Sequence, residues 1–365
     1  MRILFVIDGL PGGGAEKVVL TLAEGMTSLG HRVSLFSLRD VCDYPIPKGV
    51  DYQILPDNTR VFWRKITEIQ RRAKQLDREI VRAQQDGGAF DLVISNLHKT
   101  DRIVSQCRSL QWSKVWFSIH GIFSASYLGN KQGFSRWLKR QKIAHVYQNK
   151  NIVGVSQAAV DDLIQHFNIS ARKTTQISNP FDIEAILKLA AEPCELPFSD
   201  YLIHVGRLHP NKRHDRLLKA YAKTGLNYPL VLVGKGSEAY TEKLKSLAEE
   251  LGIAEKVKFI GFCSNPYPYI KHAKTLILSS DSEGFGNVLV EALICGTPVV
   301  STNCPGGPST ILTGNLAIGL ADMNEDSLAE KIVLVTNNPP IIEEKPLLDY
   351  GIIPTSQKYL ALANN

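Results

Sequence analysis

The chain alternates short apolar runs with longer segments whose apolar residues recur every three or four positions. Residues 2–7 form an apolar run of strand length, and a glycine-rich loop, Asp8 to Gly14, follows it. Val18, Val19, Leu22 and Ala23 then recur with the 3.6-residue period of a helix. Gly30 stands where a helix needs a left-handed C′ residue, and 32–38 reads as the next strand. A β-α-β unit of this kind predicts a parallel sheet, because parallel neighbours need a crossover long enough to hold a helix. Further strands are predicted at 91–95, 115–119, 151–155 and 174–177, and Ser156 is placed to cap the helix after the third.

The same alternation resumes after residue 200. Strands are predicted at 201–205, 230–233, 257–260, 275–278 and 298–301, and the clearest helix, 238–251, is closed by Gly252. Between the two runs lie Asn179-Pro180-Phe181-Asp182, then Pro193 and Pro197. Proline biases the residue before it away from helix, so this stretch reads as a hinge. The pattern predicts α/β architecture in two doubly wound domains, 1–178 and 179–345, with 346–365 as a final helix crossing back to the first. Ligands of such sheets lie at the carboxyl ends of the strands, which places them in a cleft between facing domains.

Length and composition agree with that division. At 365 residues the chain exceeds one ordinary core, and 44% apolar with 21% charged residues is a globular balance. Met1 to Ile7 is too short for a signal peptide, and no apolar stretch approaches the ~20 residues of a membrane span. A cytoplasmic protein is expected. The six cysteines, at 42, 107, 194, 263, 295 and 304, show no metal or redox spacing. Charge is unevenly placed: residues 1–180 carry 25 Lys and Arg against 15 Asp and Glu, whereas the remainder carries 17 against 21. The basic half predicts a partner of negative charge. No recognised nucleic-acid module appears, so nucleic acid is not that partner.

Candidate chemistry concentrates at residues 279–293. A buried strand is followed by a loop holding Glu283, Gly284, Phe285 and Gly286, then by an apolar helix for which Asn287 is the expected N-cap. Glycines let backbone approach a ligand, and free N–H groups at a helix start suit a diphosphate. Glu291 lies two turns into the helix. An acid–base pair of hydrolase type needs carboxylates roughly 5–9.5 Å apart. Eight residues of helix span about 12 Å, so direct pairing is disfavoured. The bland alternative is that Glu283 only sits near a helix start while Glu291 is solvated.

This segment resembles the glutamate–seven residues–glutamate signature of family-four retaining glycosyltransferases, which have the GT-B fold. Val205-Gly206-Arg207-Leu208, continuing to Lys212 and Arg213, is similar to a second motif of that family. Cys295-Gly296-Thr297-Pro298 and Asn179-Pro180-Phe181-Asp182 resemble two more. The resemblance is dense from about residue 150 to 310. It implies two Rossmann-like domains facing across a cleft, the first binding acceptor and the second binding nucleotide-sugar. It further implies that Arg207 and Lys212 neutralise the donor diphosphate and that Glu291 binds the ribose. Glu283, with the backbone of Gly284, Phe285 and Gly286, would hold the transferred sugar. Gly206, Gly234, Phe262, Asn287 and Val288 fall at the family's donor-binding positions. Gly13 and Gly14 resemble its first loop, and His120 matches a histidine facing the donor sugar. Read alone, Gly12-Gly13-Gly14 lacks the spacing of a dinucleotide or P-loop site. The family usually carries an acidic residue where Thr310 stands here.

The function so implied is retaining transfer from a UDP-sugar to a glycan or glycolipid, in bacterial lipopolysaccharide or surface-polysaccharide synthesis. No cofactor or metal is expected, since Asp281-Ser282-Glu283 lies within the longer signature. Two rivals remain: a nucleotide-sugar epimerase of the same fold, and a non-catalytic sugar-nucleotide or membrane-binding protein. Two basic, aromatic segments suggest peripheral contact with the anionic cytoplasmic leaflet. One runs over 60–82, with Phe62, Trp63, Arg71, Arg72 and Lys74; the other includes Phe134, Arg136, Trp137, Leu138, Lys139, Arg140 and Lys142. Each fits equally well as an amphipathic helix with a charged outer face. His98 and His145 carry no motif and are expected to be surface or packing residues.

Overall fold

The computed structural model describes residues 1–59, 64–129, 132–193 and 200–364. Arg60, Phe62, Trp63, Cys194 and Pro197, and the side chain of Arg64, lie outside the described residues. The chain divides into two compact units, Met1–Pro180 with Tyr350–Asn365, and Phe181–Asp349.

The first unit is a parallel sheet of β1 (Arg2–Ile7), β2 (Arg32–Ser37), β3 (Asp51–Ile54), β4 (Leu92–Asn96), β5 (Val115–Ile119), β6 (Asn151–Gly154) and β7 (Lys173–Gln176). Their order is β3-β2-β1-β4-β5-β6-β7. β1, β4 and β5 are almost wholly buried, as strands covered on both faces must be. That is why they are legible as apolar runs. β3 was not predicted: at the sheet edge, its sequence Asp-Tyr-Gln-Ile is half exposed and gives no such run.

Helices α1 (Gly14–Ser28), α2 (Arg64–Gly87), α3 (His98–Val104), α4 (Gly133–Tyr147) and α5 (Gln157–Phe167) cover the sheet. Leu76 and Ile80 of α2, Ile103 of α3, Ile143 of α4 and Leu163 of α5 share one core with β4 to β6. The opposite face packs Val18, Leu22 and Met26 of α1 against β1 and against Tyr359 and Leu360 of the C-terminal helix Ile352–Ala361. Ser156 caps α5 as expected, accepting from the Ala159 N–H at 3.2 Å. Gly30 has φ +82° and its N–H donates to the Thr27 carbonyl, closing α1.

Gly25 sits inside α1, where glycine ordinarily costs ~1 kcal/mol relative to alanine. A Cβ there would meet Ser356 Oγ at 2.3 Å and Ile352 Cγ2 at 2.5 Å, so the C-terminal helix lies directly on the glycine. Overpacking of this kind costs typically ~1–3 kcal/mol. Gly25→Leu is therefore expected to lower the melting temperature by several degrees and to make the last fifteen residues susceptible to protease. An unchanged melt would mean that the helix contributes little to this core.

The second unit has β8 (Leu202–Val205), β9 (Leu230–Val233), β10 (Val257–Gly261), β11 (Thr275–Leu278), β12 (Val299–Thr302) and β13 (Leu320–Ala321). All are parallel, in the order β10-β9-β8-β11-β12-β13. Its helices include α6 (Ile183–Ala190), α7 (His214–Thr224), α8 (Glu238–Glu250), α9 (Tyr267–Lys271) and α10 (Asn287–Ile294). In each sheet the strand order reverses once, between β1 and β4 and between β8 and β11. Open α/β sheets bind ligands at these reversals, beyond the carboxyl ends of the strands.

Candidate active site

The loops that leave β8 and β11 meet at the reversal of the second sheet. β8 is followed by Gly206, Arg207 and a 3-10 turn, Pro210–Lys212; β11 is followed by Ser279 to Gly286. The two loops are stitched together. Asn211 Nδ2 donates to the Ser282 carbonyl at 2.9 Å, the Asp281 N–H donates to the Asn211 carbonyl at 2.9 Å, and Ser279 Oγ donates to the Lys212 carbonyl at 2.7 Å. This brings Lys212 Nζ to within 2.6 Å of Glu283 Oε1, and Ser280 Oγ donates to the same oxygen at 2.5 Å. Only 11% of the Glu283 side chain and 22% of Lys212 are exposed, so the pair is largely sheltered from solvent screening. With Oε1 fixed by two donors, Oε2 remains available to accept a hydrogen bond from a ligand.

Asp281, two residues before Glu283, has different partners. Arg216 Nη2 lies 2.6 Å and Arg213 Nη1 3.1 Å from its carboxylate. Arg213 also pairs with Asp215 at 3.0 Å and adopts φ +51°, a left-handed conformation uncommon for a side-chain-bearing residue. Its hydrogen bond with Asp215, followed by that with Asp281, holds the guanidinium in its charged form. Arg213 therefore shapes the loop, while Arg207 is exposed beside it. Among the described residues no three His, Cys, Asp or Glu side chains converge as a metal-ligand set.

Glycines that sequence reasoning did not single out hold the signature loop in place. The Glu283 N–H donates to the Pro305 carbonyl at 3.0 Å. A Cβ on Gly306 would stand 1.8 Å from the Glu283 carbonyl oxygen, and one on Gly307 would stand 1.8 Å from that of Phe285. The loop after β12 thus lies flat against residues 283–285. The signal for it, Pro305-Gly306-Gly307-Pro308, was visible in the sequence, but not what it would touch. Gly234 and Gly206 make a comparable contact: a Cβ on Gly234 would meet the Gly206 carbonyl oxygen at 1.8 Å.

The remaining sequence-predicted residues fall as follows. Glu291 accepts from the Tyr267 hydroxyl at 3.2 Å and is half-buried. Phe285 is 2% exposed and packs 6.3 Å from Phe181, with Gly307 lying against its backbone. Phe262 is 76% exposed just beyond β10. Val288 lies in the first turn of α10. Asn287 is not the N-cap: Gly286 occupies that position with φ +93°, and Asn287 is the first helical residue, with no side chain capping the helix start. The chain must turn sharply through the left-handed region to enter α10, which glycine does at less cost than asparagine.

In the first unit, Gly13 is the N-cap of α1 and Gly14 its first residue. The buried Glu16 carboxylate lies against Gly13, so this helix start already carries a negative group of its own. His120 directly follows β5, and its Nε2 donates to Asn96 Oδ1 at 3.0 Å. Its Nδ1 is shielded and has no partner among the described residues. Burial depresses the imidazole to about 4, so at neutral pH it is an uncharged hydrogen-bond acceptor.

Beneath the β8 loop, sequence reasoning missed a buried histidine pair. The His204 and His214 rings lie 4.6 Å apart, and His204 Nδ1 bonds the Ile277 carbonyl at 2.8 Å. Burial, then the charge of Lys212, pushes His214 down to about 4, and burial beside His214 pushes His204 well down. With His98 and His120, both also near 4, four histidines stay neutral when folded and take up protons when unfolded as pH falls below 6.5. Stability is therefore complete above pH 6.5 and lost as pH falls towards 4. Asp101, raised by burial from 3.8 to about 7, acts in the opposite direction, but it is one group against four. The melting temperature should drop steeply from pH 7 to pH 5, and His214→Phe should flatten that slope. A flat wild-type profile would contradict it.

Two corrections concern the basic segment on α2. Arg71 is bound to Asp57 at 2.7 Å, and Arg72 is 3% exposed, with its guanidinium on the Leu38 carbonyl and Gln75. Both tie α2 to the loops beside it and present little charge to an external surface. On α4, by contrast, Phe134 is 71%, Trp137 51% and Leu138 39% exposed. No helix among the described residues is long and apolar enough to cross a membrane.

Two parallel α/β units, each with its strand-order reversal opening onto glycine-rich loops, and a Lys–Glu pair at one reversal, define a GT-B transferase architecture. Residues 12–185 match the model of glycosyltransferase family 4, and residues 198–347 match that of glycosyl transferases group 1. The chain belongs to these glycosyltransferases, and it is an enzyme that transfers a sugar. It is 29% identical over 306 residues to the N-acetylgalactosamine-N,N'-diacetylbacillosaminyl-diphospho-undecaprenol 4-alpha-N-acetylgalactosaminyltransferase of Campylobacter jejuni, covering 82% of this chain and 80% of that one. It is 30% identical over 165 residues to the lipopolysaccharide 1,6-galactosyltransferase of Salmonella typhimurium, covering 44% and 45%. Its fold matches Anabaena HepE, solved with UDP and glucose, at a TM-score of 0.69, 19% identity and coverage of 100% and 97%.

Proposed function

We propose that the chain moves a hexose, with retention of configuration, from a UDP-sugar to a lipid-linked or glycan acceptor in the synthesis of a bacterial surface glycan. The observation that carries the proposal is the Lys212–Glu283 contact at the β8/β11 reversal, locked by Gly306 and Gly307. The UDP and glucose bound to HepE and the glycolipid and lipopolysaccharide substrates in the relatives' names support the donor and acceptor classes.

In this reaction the bond from sugar C1 to the diphosphate oxygen breaks, and its electron pair leaves with UDP. The acceptor hydroxyl oxygen bonds C1 on the same face, and its proton passes to the departing phosphate oxygen. Arg207 and Lys212 neutralise the charge that builds on that phosphate, with no metal required. Glu283 Oε2 accepts from a hydroxyl of the transferred sugar, and Glu291 accepts from the ribose. The exposed Phe134, Trp137 and Leu138 of α4, among its basic residues, favour peripheral membrane contact there rather than through Arg71 and Arg72. Proton NMR of the product tests the reading. The anomeric coupling of the donor should persist in an acceptor-dependent product; inversion, or turnover to a free epimerised nucleotide-sugar without acceptor, would overturn it.

A further inference from the structure

Helices α2, α3 and α4 border an open groove of about 1140 Å³ within the first unit. Its lining combines two chemistries. Arg102 from α3 and Lys139 and Lys142 from α4 bring three cations to it, and among the described residues none of their side chains has a partner. Ile66, Trp137 and Leu138 bring apolar surface, and Ile66 is 88% exposed. Isolated exposed apolar residues are ordinary, but several beside unpaired cations in one concavity are not.

The inner end of the groove is bounded by a hydrogen-bonded network. His98 Nδ1 bonds the Tyr147 hydroxyl at 3.0 Å, and that hydroxyl donates to the buried Asp101 carboxylate at 2.7 Å. Ser95 Oγ donates to the other Asp101 oxygen at 2.5 Å. Leu97, with φ +73°, turns the chain from β4 so that His98 faces this network. After burial, the nearby charges of Arg102 and Lys139 are what push the His98 imidazole down to about 4. Both cations therefore act on this ring, and both line the same groove. Unpaired like charges lining one concavity are complementary to a multivalent anion.

We propose that this groove seats the phosphate-bearing end of a lipid-linked acceptor: Arg102, Lys139 and Lys142 hold the phosphate or diphosphate that joins sugar to lipid, while Trp137, Leu138 and Ile66 receive the start of the chain. Phosphate is a better fit than carboxylate because three separate cations can share its oxygens. A chain is required because the apolar wall would otherwise face water. The proposal rests on the transferase reading above and names its acceptor subsite.

The test uses the full chain and geranylgeranyl diphosphate in neutral phosphatidylcholine vesicles. Wild type should bind these vesicles at least tenfold more tightly than vesicles without the diphosphate, and inorganic diphosphate should compete. Arg102→Ala/Lys139→Ala/Lys142→Ala should lose that preference, whereas Arg172→Ala/Lys173→Ala, exposed cations near β7, should keep it. Imidazole NMR gives a second readout: bound diphosphate should move the His98 titration upward. Equal binding to phosphatidylglycerol vesicles lacking the diphosphate would overturn the subsite in favour of plain membrane contact. Equal losses in both variants, or an unmoved His98, would also overturn it. UDP-sugar binding to the wild type, followed by a thermal shift, separates the two claims. If it persists without diphosphate binding, only the subsite fails; if neither ligand binds, the transferase reading fails with it.

Discussion

Replacing Glu283 with alanine should lower turnover by at least about two orders of magnitude, the scale of removing one preorganised transition-state contact. The carboxylate is held by Lys212 at 2.6 Å and Ser280 at 2.5 Å through one oxygen, which fixes the direction of the other. Glu283→Gln keeps the shape and loses the charge, so it should fall between alanine and wild type. Lys212→Ala should lose as much activity for two reasons. It removes the cation proposed to balance the leaving diphosphate, and it strands a sheltered carboxylate, which costs on the order of 3–5 kcal/mol for a fully buried pair and less here. Its melting temperature should therefore fall, whereas that of Glu283→Gln should fall less. Steady-state kinetics with UDP release, read beside thermal melts, distinguishes these outcomes. Near-wild-type rates for both alanine variants would remove the site.

Gly306→Ala should be almost as damaging, although it deletes no functional group. The added Cβ would stand 1.8 Å from the Glu283 carbonyl oxygen, and the backbone at Gly306 has φ +133°, where a side chain is strained in any case. The only relief is for the two loops to part, which moves Glu283 relative to Lys212. A displacement near 1 Å can cost on the order of a hundredfold in rate. The loss should appear mainly in kcat, and the fold should survive because the clash lies in loops. Thr310→Ala, on the exposed side of the short helix Pro308–Ile311 just beyond, provides a comparison that leaves the loop contact intact. Equal activity of Gly306→Ala and wild type would show that the loop contact does not set the position of Glu283.

The fold was legible where burial is two-sided. β1, β5, β9 and β11 are predominantly apolar because helices cover both faces of a parallel sheet. Two edge strands escaped, although β7 and β10, also at edges, did not: β3 is half exposed, and β13 is two residues long. Motif resemblance pointed to Lys212, Glu283 and Glu291, but it could not give their contacts. That Lys212 reaches Glu283, and that Asp281 instead belongs to Arg213 and Arg216, follows from how two loops meet beyond the sheet. Periodicity likewise cannot separate a cation facing outward from one bent back to its own fold, which is why Arg71 and Arg72 looked like surface charge. The helix start at Gly286 was displaced by one residue because asparagine is a good cap only where the backbone is extended, and here it is left-handed.

The most direct test of the account is a thermal-shift panel of UDP, GDP and ADP with their sugar conjugates, on wild type and on Lys212→Ala. A ligand that binds only the folded state raises its stability by mass action. The account predicts a clear shift with the UDP series in wild type and a much smaller one in Lys212→Ala. No shift with any nucleotide, or the same shift in both proteins, would contradict the assignment of the β8/β11 reversal as the donor site.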